Sequence, residues 1–186
     1  MTLLLLVVLL IVGVAILYYN RLVRLRQQVR NAWADIDVQL KRRHDLIPNL
    51  VETVKGYASH ERETLEAVIT ARNRAIAASG PAEAAAAENQ LTGALRQLFA
   101  LSESYPQLRA VEGFTRLQGS LEEIETAVQN SRRYYNAVVR DYNTTIEQVP
   151  SNFVATAFRF QPEEYFELLD DAERDVPRVS FGDAPT

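Results

Sequence analysis

The chain opens with one long apolar run followed by arginines, and residues 3–30 read LLLLVVLLIVGVAILYYNRLVRLRQQVR. The run is at the short end of the roughly 17–25 residues that cross the hydrocarbon core of a bilayer. Its backbone would find no water there, which forces a helix. Two tyrosines and four arginines follow, and no acidic residue occurs before Asp35. We therefore predict a single-pass transmembrane anchor over residues 1–20.

Two groups of residues carry this prediction. The anchor residues are Leu3, Leu6, Leu9, Val12, Ile16, Tyr18 and Tyr19, and the basic collar that meets lipid headgroups consists of Arg21, Arg24, Arg26 and Arg30. Because basic residues favour the cytoplasmic side, we expect the N-terminus outside and the remaining chain in the cytoplasm. The alternative is a cleaved secretory signal, but the basic residues that precede the apolar core of a signal follow it here.

The remainder of the chain is acidic and free of cysteine. The 186 residues carry a formal net charge of −4, and everything after the collar holds 16 basic and 24 acidic residues. This balance argues against nucleic acid as a partner, because phosphate binding requires a basic surface. The absence of cysteine excludes disulfides, thiol catalysis and thiolate metal sites.

Beyond the collar, apolar residues recur at alternating steps of three and four, which is typical of one buried stripe on a long helix. The two clearest stripes are Leu22, Val29, Trp33, Ile36, Leu40, Ile47, Leu50, Val54 and Tyr57, and then Phe114, Leu117, Leu121, Ile124, Val128, Tyr135, Val138, Tyr142 and Val149. Between them lie two shorter helical segments, one with Leu65, Val68, Ile69 and Ile76, the other with Leu91, Leu95 and Leu98. We predict an all-α fold in which the transmembrane helix continues into an antiparallel bundle of about four long helices over residues 21–160, with an acidic C-terminal tail over 161–186.

Polar residues interrupt or flank these stripes. Arg43 occupies a core position, where a charge is costly unless it is paired. We predict an interhelical polar network, centred on Arg43 and Asp141, that comprises Arg43, Asp45, Asn49, Glu52, Asn136, Asp141 and Asn143. Such a network either fixes the helix register, as a single polar core residue does in coiled coils, or forms an interface for a partner or a second subunit.

Four phenylalanines, Phe153, Phe158, Phe160 and Phe166, follow Pro150 in a segment that is too irregular for a bundle helix. They either fold back and cap the end of the bundle or remain exposed, where they would insert into a membrane or meet a neighbouring subunit.

The sequence shows little that could support catalysis. Its two histidines are His44 and His60, and neither belongs to the Glu-x-x-His pattern of di-iron bundles. His60 with Glu61 and Glu63 could begin a metal site, although a histidine beside a helix cap explains the same residues. No cofactor is expected.

Several motifs together resemble the LemA family. The match rests on the run LIPNLVETVKGY over residues 46–57, on His60-Glu61, and on Arg133-Tyr134-Tyr135-Asn136 with Asp141-Tyr142-Asn143. Phe158, Phe160 and Phe166 add to it. The resemblance implies a membrane-anchored, mainly antiparallel helical bundle of bacterial origin, without an established enzymatic activity or cofactor. With the orientation above, the expected location is therefore a bacterial inner membrane. Some relatives are associated with magnetosome membranes.

We expect a non-enzymatic membrane scaffold that self-associates as a homo-oligomer and contacts membrane lipids. The first alternative is an adaptor for a membrane protease or signalling complex, which would bind a protein partner through the C-terminal tail. The remote alternative is a metal-dependent enzyme built around His60.

Overall fold

The computed structural model describes residues 1–58 and 60–167. These residues contain six helices and no strand, which confirms the all-α prediction. The helices are α1 (Thr2–Lys55), α2 (Arg62–Ala77), α3 (Pro81–Ser102), α4 (Pro106–Arg109), α5 (Glu112–Glu147) and α6 (Ser151–Ala157).

The helix ends follow from local sequence. α1 contains Pro48 without ending there and stops at Lys55, directly before Gly56, a residue type that disfavours a continuing helix. Gly80 has φ +80°, which favours glycine, and Pro81 then starts α3 with a backbone dihedral suited to a first turn. α5 ends at Glu147, just before Pro150. The sequence favours Ser59 as the N-cap of α2, because a serine hydroxyl can accept from the free amides of a first helical turn, but Ser59 lies outside the described residues.

The longest packing interface joins α1 to α5, which run antiparallel. The α2–α3 hairpin packs against the half of α1 that is farther from the collar, and α6 packs against α1 and α5 near the collar. Two apolar clusters result. The collar-side cluster is centred on Leu22, Ile36, Val128, Tyr135 and Tyr142, and the distal cluster on Ile47, Leu50, Val68, Leu91 and Phe114.

A few predicted core positions are wrong. Ile69 and Ile76 are exposed on α2, whose buried face consists of Leu65, Val68, Ala71 and Ala75. The small alanines allow α2 to lie close to its neighbours, so the larger isoleucines remain at the edge. Tyr57 and Val149 are exposed because both lie beyond the last residue of their helix.

Candidate functional site

The apolar beginning of α1 is exposed on all sides. α1 is the one described helix that is long and apolar enough to cross a membrane, and its most apolar 18-residue window contains no buried residue. A core helix of a water-soluble domain would bury such a surface against other elements. The exposure of residues 3–14 is therefore consistent with lipid as their environment.

The arginine collar lies where the bundle begins. Arg21, Arg24 and Arg30 are exposed. Arg26 instead places its guanidinium over the ring of Phe160, 5.0 Å from the ring centroid. Three of the four arginines are thus available to headgroups, and the fourth ties α1 to the C-terminal segment by a cation–π contact.

A buried charged pair lies at the middle of the bundle. Arg43 on α1 and Glu88 on α3 are 4% and 1% exposed, and Arg43 Nη1 donates to Glu88 Oε2 at 2.9 Å. Arg43 Nη2 donates to Thr92 Oγ1 at 2.8 Å and lies 3.2 Å from Glu125 Oε2 on α5. The buried guanidinium is therefore satisfied by two helices.

His44 completes this charged layer. Its Nε2 lies 2.6 Å from Glu88 Oε1, so both carboxylate oxygens of Glu88 have a partner. Arg72 on α2 donates from Nε to the backbone carbonyl of His44 at 2.8 Å. All four long helices meet at this layer, which lies between the collar-side and distal clusters. A mismatched register would leave a buried charge unpaired, which is a large penalty.

The predicted centre of the polar network is only partly right. Arg43 pairs with Glu88 and Glu125, whereas the side chain of Asp141 is exposed on α5. Asp45, Asn49 and Glu52 are also exposed. Their spacing of two, six and nine residues from Arg43 turns them to the opposite side of a helix with 3.6 residues per turn.

Glu88 was missed by the sequence reasoning, although a signal was present. Its neighbours on the buried stripe of α3 are Ala84, Leu91, Leu95 and Leu98, at alternating steps of three and four. Glu88 is thus an acid at a heptad core position, as Arg43 is a base at one. An acid on the core stripe of one helix and a base on that of another together indicate a buried ion pair between the two helices.

The two asparagines of the predicted network have a different role from the one expected. Asn143 Nδ2 donates to the carbonyl of Glu163 and its Oδ1 accepts from the amide of Glu163, both at 2.9 Å. Asn136 binds both backbone groups of Phe166 in the same way: its Nδ2 donates to the carbonyl at 3.1 Å, and its Oδ1 accepts from the amide at 3.0 Å. Each side chain therefore satisfies both backbone groups of one residue. We call residues 161–167, which are held in this way along α5, the strap.

Two tyrosines reinforce the strap. Tyr142 donates to the carbonyl of Gln161 at 2.9 Å, and Tyr135 donates to that of Glu164 at 2.8 Å. The Tyr-Asn pair thus occurs twice on α5, seven residues apart, which places both pairs on one face. The strap belongs structurally with the bundle, although the sequence assigned it to the tail. The rest of the predicted tail, from residue 168, lies outside the described residues.

The strap environment changes the acidity of both tyrosines. Burial, with a smaller contribution from the carboxylates of Glu163 and Glu164, raises the pKa of Tyr135 to about 12. Burial also raises the pKa of Tyr142, which Glu163 raises further and Arg26 and Arg30 lower. Both hydroxyls therefore stay protonated at neutral pH and act as donors to the strap.

The four predicted tail aromatics divide into two pairs. Phe166 is fully buried, with its ring centroid 5.6 Å from that of Trp33, and Phe160 is also buried. Phe153 and Phe158 are exposed. The fold-back prediction holds for the first pair, and the second pair remains at the surface.

The three residues of the remote metal-site alternative do not form a metal site. Glu61 accepts a hydrogen bond from the hydroxyl of Tyr105 at 3.0 Å, which raises the pKa of that tyrosine. His60 and Glu63 are exposed. Within residues 1–58 and 60–167, no group of three or more His, Asp or Glu side chains is placed to hold a metal ion.

The family model described as the LemA family matches residues 32–181. This range covers α2 to α6, most of the bundle part of α1 and the strap. The chain belongs to the LemA family.

Similar proteins include other LemA-family members. The chain is 24% identical over 182 residues to magnetosome protein MamQ 2 of Paramagnetospirillum magneticum, an alignment that covers 84% of this chain and 67% of the relative. It is 23% identical over 174 residues to MamQ of Magnetospirillum gryphiswaldense, with coverage of 80% and 64%. It is 26% identical over 140 residues to protein LemA of Metamycoplasma hominis, with coverage of 73% and 63%.

These names describe relatives as magnetosome proteins or simply as LemA, and they state no enzymatic activity. Together with the exposed apolar helix, they identify this chain as a membrane-associated helical protein. Several residues of the LemA-like motifs have a structural role. The Tyr-Asn pairs at 135–136 and 142–143 hold the strap, Phe166 is its buried phenylalanine, and the buried Phe160 lies directly before it.

Proposed function

We propose that this LemA-family protein is a non-enzymatic membrane scaffold, which self-associates and organises the membrane around it. The observation that carries the proposal is the continuity of α1, which forms both the anchor and the longest bundle helix. At 1.5 Å per residue, a helix of 54 residues is roughly 80 Å long. A bundle built on such a helix has little freedom to tilt against its anchor.

A fixed orientation favours lateral assembly. Copies held at the same height and angle in one membrane present equivalent surfaces to each other, so less rotational freedom is lost on association. The layer of Arg43, His44 and Glu88 supports the same idea, because it fixes the register of all four long helices and so gives every copy the same shape.

The proposed location is a bacterial inner membrane with the bundle in the cytoplasm. The exposed arginines Arg21, Arg24 and Arg30 support this orientation, since basic residues are retained on the cytoplasmic side. They would also attract the anionic headgroups of the cytoplasmic leaflet. The relatives named as magnetosome proteins support a function tied to a membrane.

The second candidate is an adaptor for a membrane protease or signalling complex. The strap favours it, because the last described residue, Glu167, is held at the side of the bundle. The chain continues from there with five acidic and two basic residues. An acidic segment that starts from a fixed point is suited to bind a basic partner surface.

One pair of proteins separates the two candidates: the full chain and a chain that ends at Glu167. This truncation preserves the strap with its buried Phe166. A cut after Gln161 would instead remove Phe166 from the core. If the protein is a scaffold, the truncated chain keeps the oligomeric mass of the full chain. The full and truncated chains then also co-purify with the same partners, or with none. An adaptor loses a stoichiometric partner when the residues after Glu167 are removed, and a monomer in both forms would contradict the scaffold.

A further inference from the structure

The corner between α5 and α6 exposes large apolar side chains. Val149, Phe153 and Phe158 are 74%, 69% and 59% exposed. The face of α6 that packs against the bundle consists of Ser151, Val154 and Ala155, so the two phenylalanines are not needed for that contact. Exposed apolar clusters of this kind in soluble proteins mark sites of interaction.

This corner lies beside the anchor. The ring of Phe158 packs against Tyr19 with 4.7 Å between centroids, and that of Phe160 lies 5.9 Å from Tyr19. Ala15 and Tyr18 also pack against the collar-side cluster. Ala15 precedes Tyr19 by four residues, or about 6 Å along the helix. The bundle therefore contacts α1 within the apolar run itself.

We propose that the α5–α6 corner, through Phe153 and Phe158, inserts into the interfacial layer of the bilayer that α1 spans. The proposal rests on α1 as the anchor but not on self-association. If residues 3–17 lie in lipid, then the corner, whose Phe158 packs against Tyr19 two residues beyond that run, must lie at the headgroup and acyl boundary. Aromatic side chains are enriched at that depth.

The charges near the corner fit a lipid surface better than a second copy. Arg21 and Arg24 on α1 and Arg159, next to Phe158, are all exposed. Aromatic residues with flanking arginines are typical of surfaces that bind anionic bilayers. Two like-charged collars would repel each other if this surface paired with its own copy. The bundle would thus contact the membrane at two points, the anchor and the corner, which together fix its orientation.

The absence of cysteine makes a direct test possible, because single cysteines can be labelled in an otherwise unchanged full-length chain. Nitroxide labels are placed at Phe153→Cys and Phe158→Cys, and the protein is reconstituted in nanodiscs of phosphatidylcholine and phosphatidylglycerol. The collision of each label with oxygen, which partitions into lipid, is compared with that of a polar nickel chelate. Tyr134→Cys, at an exposed tyrosine of α5 far from the corner, is the matched aqueous control. Leu9→Cys is the control for the anchor.

We expect the labels at 153 and 158 to collide mainly with oxygen, as the label at 9 does, while the label at 134 collides mainly with nickel. Nickel accessibility at 153 and 158 equal to that at 134 would overturn the proposal, as long as the label at 9 lies in lipid. Spin–spin broadening at 153 that disappears on dilution with unlabelled protein, without oxygen accessibility, would assign the corner to a second copy and also overturn it. Nickel accessibility of the label at 9 would show that the start of α1 does not lie in lipid, and would thereby overturn the proposal together with the anchor on which it rests.

Discussion

Asn136 holds Phe166 through both ends of its side-chain amide: Nδ2 donates to the carbonyl oxygen at 3.1 Å, and Oδ1 accepts from the amide nitrogen at 3.0 Å. The strap has no regular secondary structure, so its backbone groups need other partners. The side-chain amide of asparagine carries both N–H donors and a carbonyl acceptor, so a single asparagine can bind the N–H and the C=O of one residue. The backbone of the strap is thus held by side chains of α5.

Each of the two strap-binding asparagines, Asn136 and Asn143, should protect only the residue whose backbone it binds. Asn136→Ala removes both partners of Phe166, and Asn143→Ala removes both partners of Glu163. Each change should accelerate hydrogen exchange at the amide that it frees, and should cost about 1–3 kcal/mol because buried backbone groups lose their partners. Hydrogen–deuterium exchange with mass spectrometry measures this directly. Asn130→Ala, at an exposed asparagine of the same helix, should leave the strap protected, and equal protection in all three variants would show that the two strap-binding asparagines are dispensable.

Phe166 should be the main apolar contact of the strap. It is fully buried and packs against Trp33, and replacing a buried phenylalanine by alanine typically costs about 3–5 kcal/mol. Phe166→Ala should therefore lower the free energy of unfolding by an amount in this range, measured by urea unfolding in detergent with circular dichroism. Phe153→Ala makes the same chemical change at an exposed site and should have little effect on unfolding. Similar losses for both variants would contradict the assigned burial.

Removing one partner of the Arg43–Glu88 pair should lower the free energy of unfolding, and replacing both partners by apolar residues should restore most of it. Glu88→Ala leaves the guanidinium of Arg43 buried with fewer partners, and breaking a buried pair in this way costs about 3–5 kcal/mol. The double change Arg43→Met with Glu88→Leu should restore most of this loss, because well-packed apolar residues can replace a buried pair.

The matched control for the charged layer is Glu123→Ala, which removes an exposed glutamate from α5. It should change the free energy of unfolding by less than about 0.5 kcal/mol. A loss for Glu88→Ala no larger than that of the control would mean that the layer does not stabilise the register.

The strap should weaken in alkali. Because the pKa of Tyr135 is raised to about 12 in the folded protein, compared with about 10 in an unfolded chain, the folded state binds more protons between these values. Its stabilising contribution is complete below pH 10 and is lost as the pH rises through 12. The free energy of unfolding should fall over this window in the wild type and fall less in Tyr135→Phe. Tyr134→Phe, at the exposed neighbour, should keep the wild-type profile, and identical profiles for all three proteins would refute the assignment.

The sequence predicts the helices well because their stripes are regular. The members of both long stripes are buried or half-buried, as expected, from Leu22 to Val54 and from Phe114 to Tyr142, and α5 ends before Pro150. Exceptions occur at Tyr57 and Val149, where the heptad spacing continues after the helix has ended. Periodicity alone does not show where a helix stops.

The polar contacts were harder to predict, because they depend on which helices become neighbours. The core position of Arg43 implied a buried partner, but its pairing with Glu88 requires α3 to lie beside α1 at that height. The strap was harder still. Its partners on α5 occur as Tyr-Asn pairs seven residues apart, while the strap itself has no periodic pattern that could indicate the match.

The central claim, that identical anchored bundles assemble in one membrane, is tested most directly by the mass of the full-length particle. The measurement is mass photometry of the protein extracted from membranes in mild detergent, corrected for bound detergent. Each chain has a mass of 21.0 kDa. We expect a discrete multiple of this value that persists on dilution, and a particle with the mass of one chain would contradict self-association.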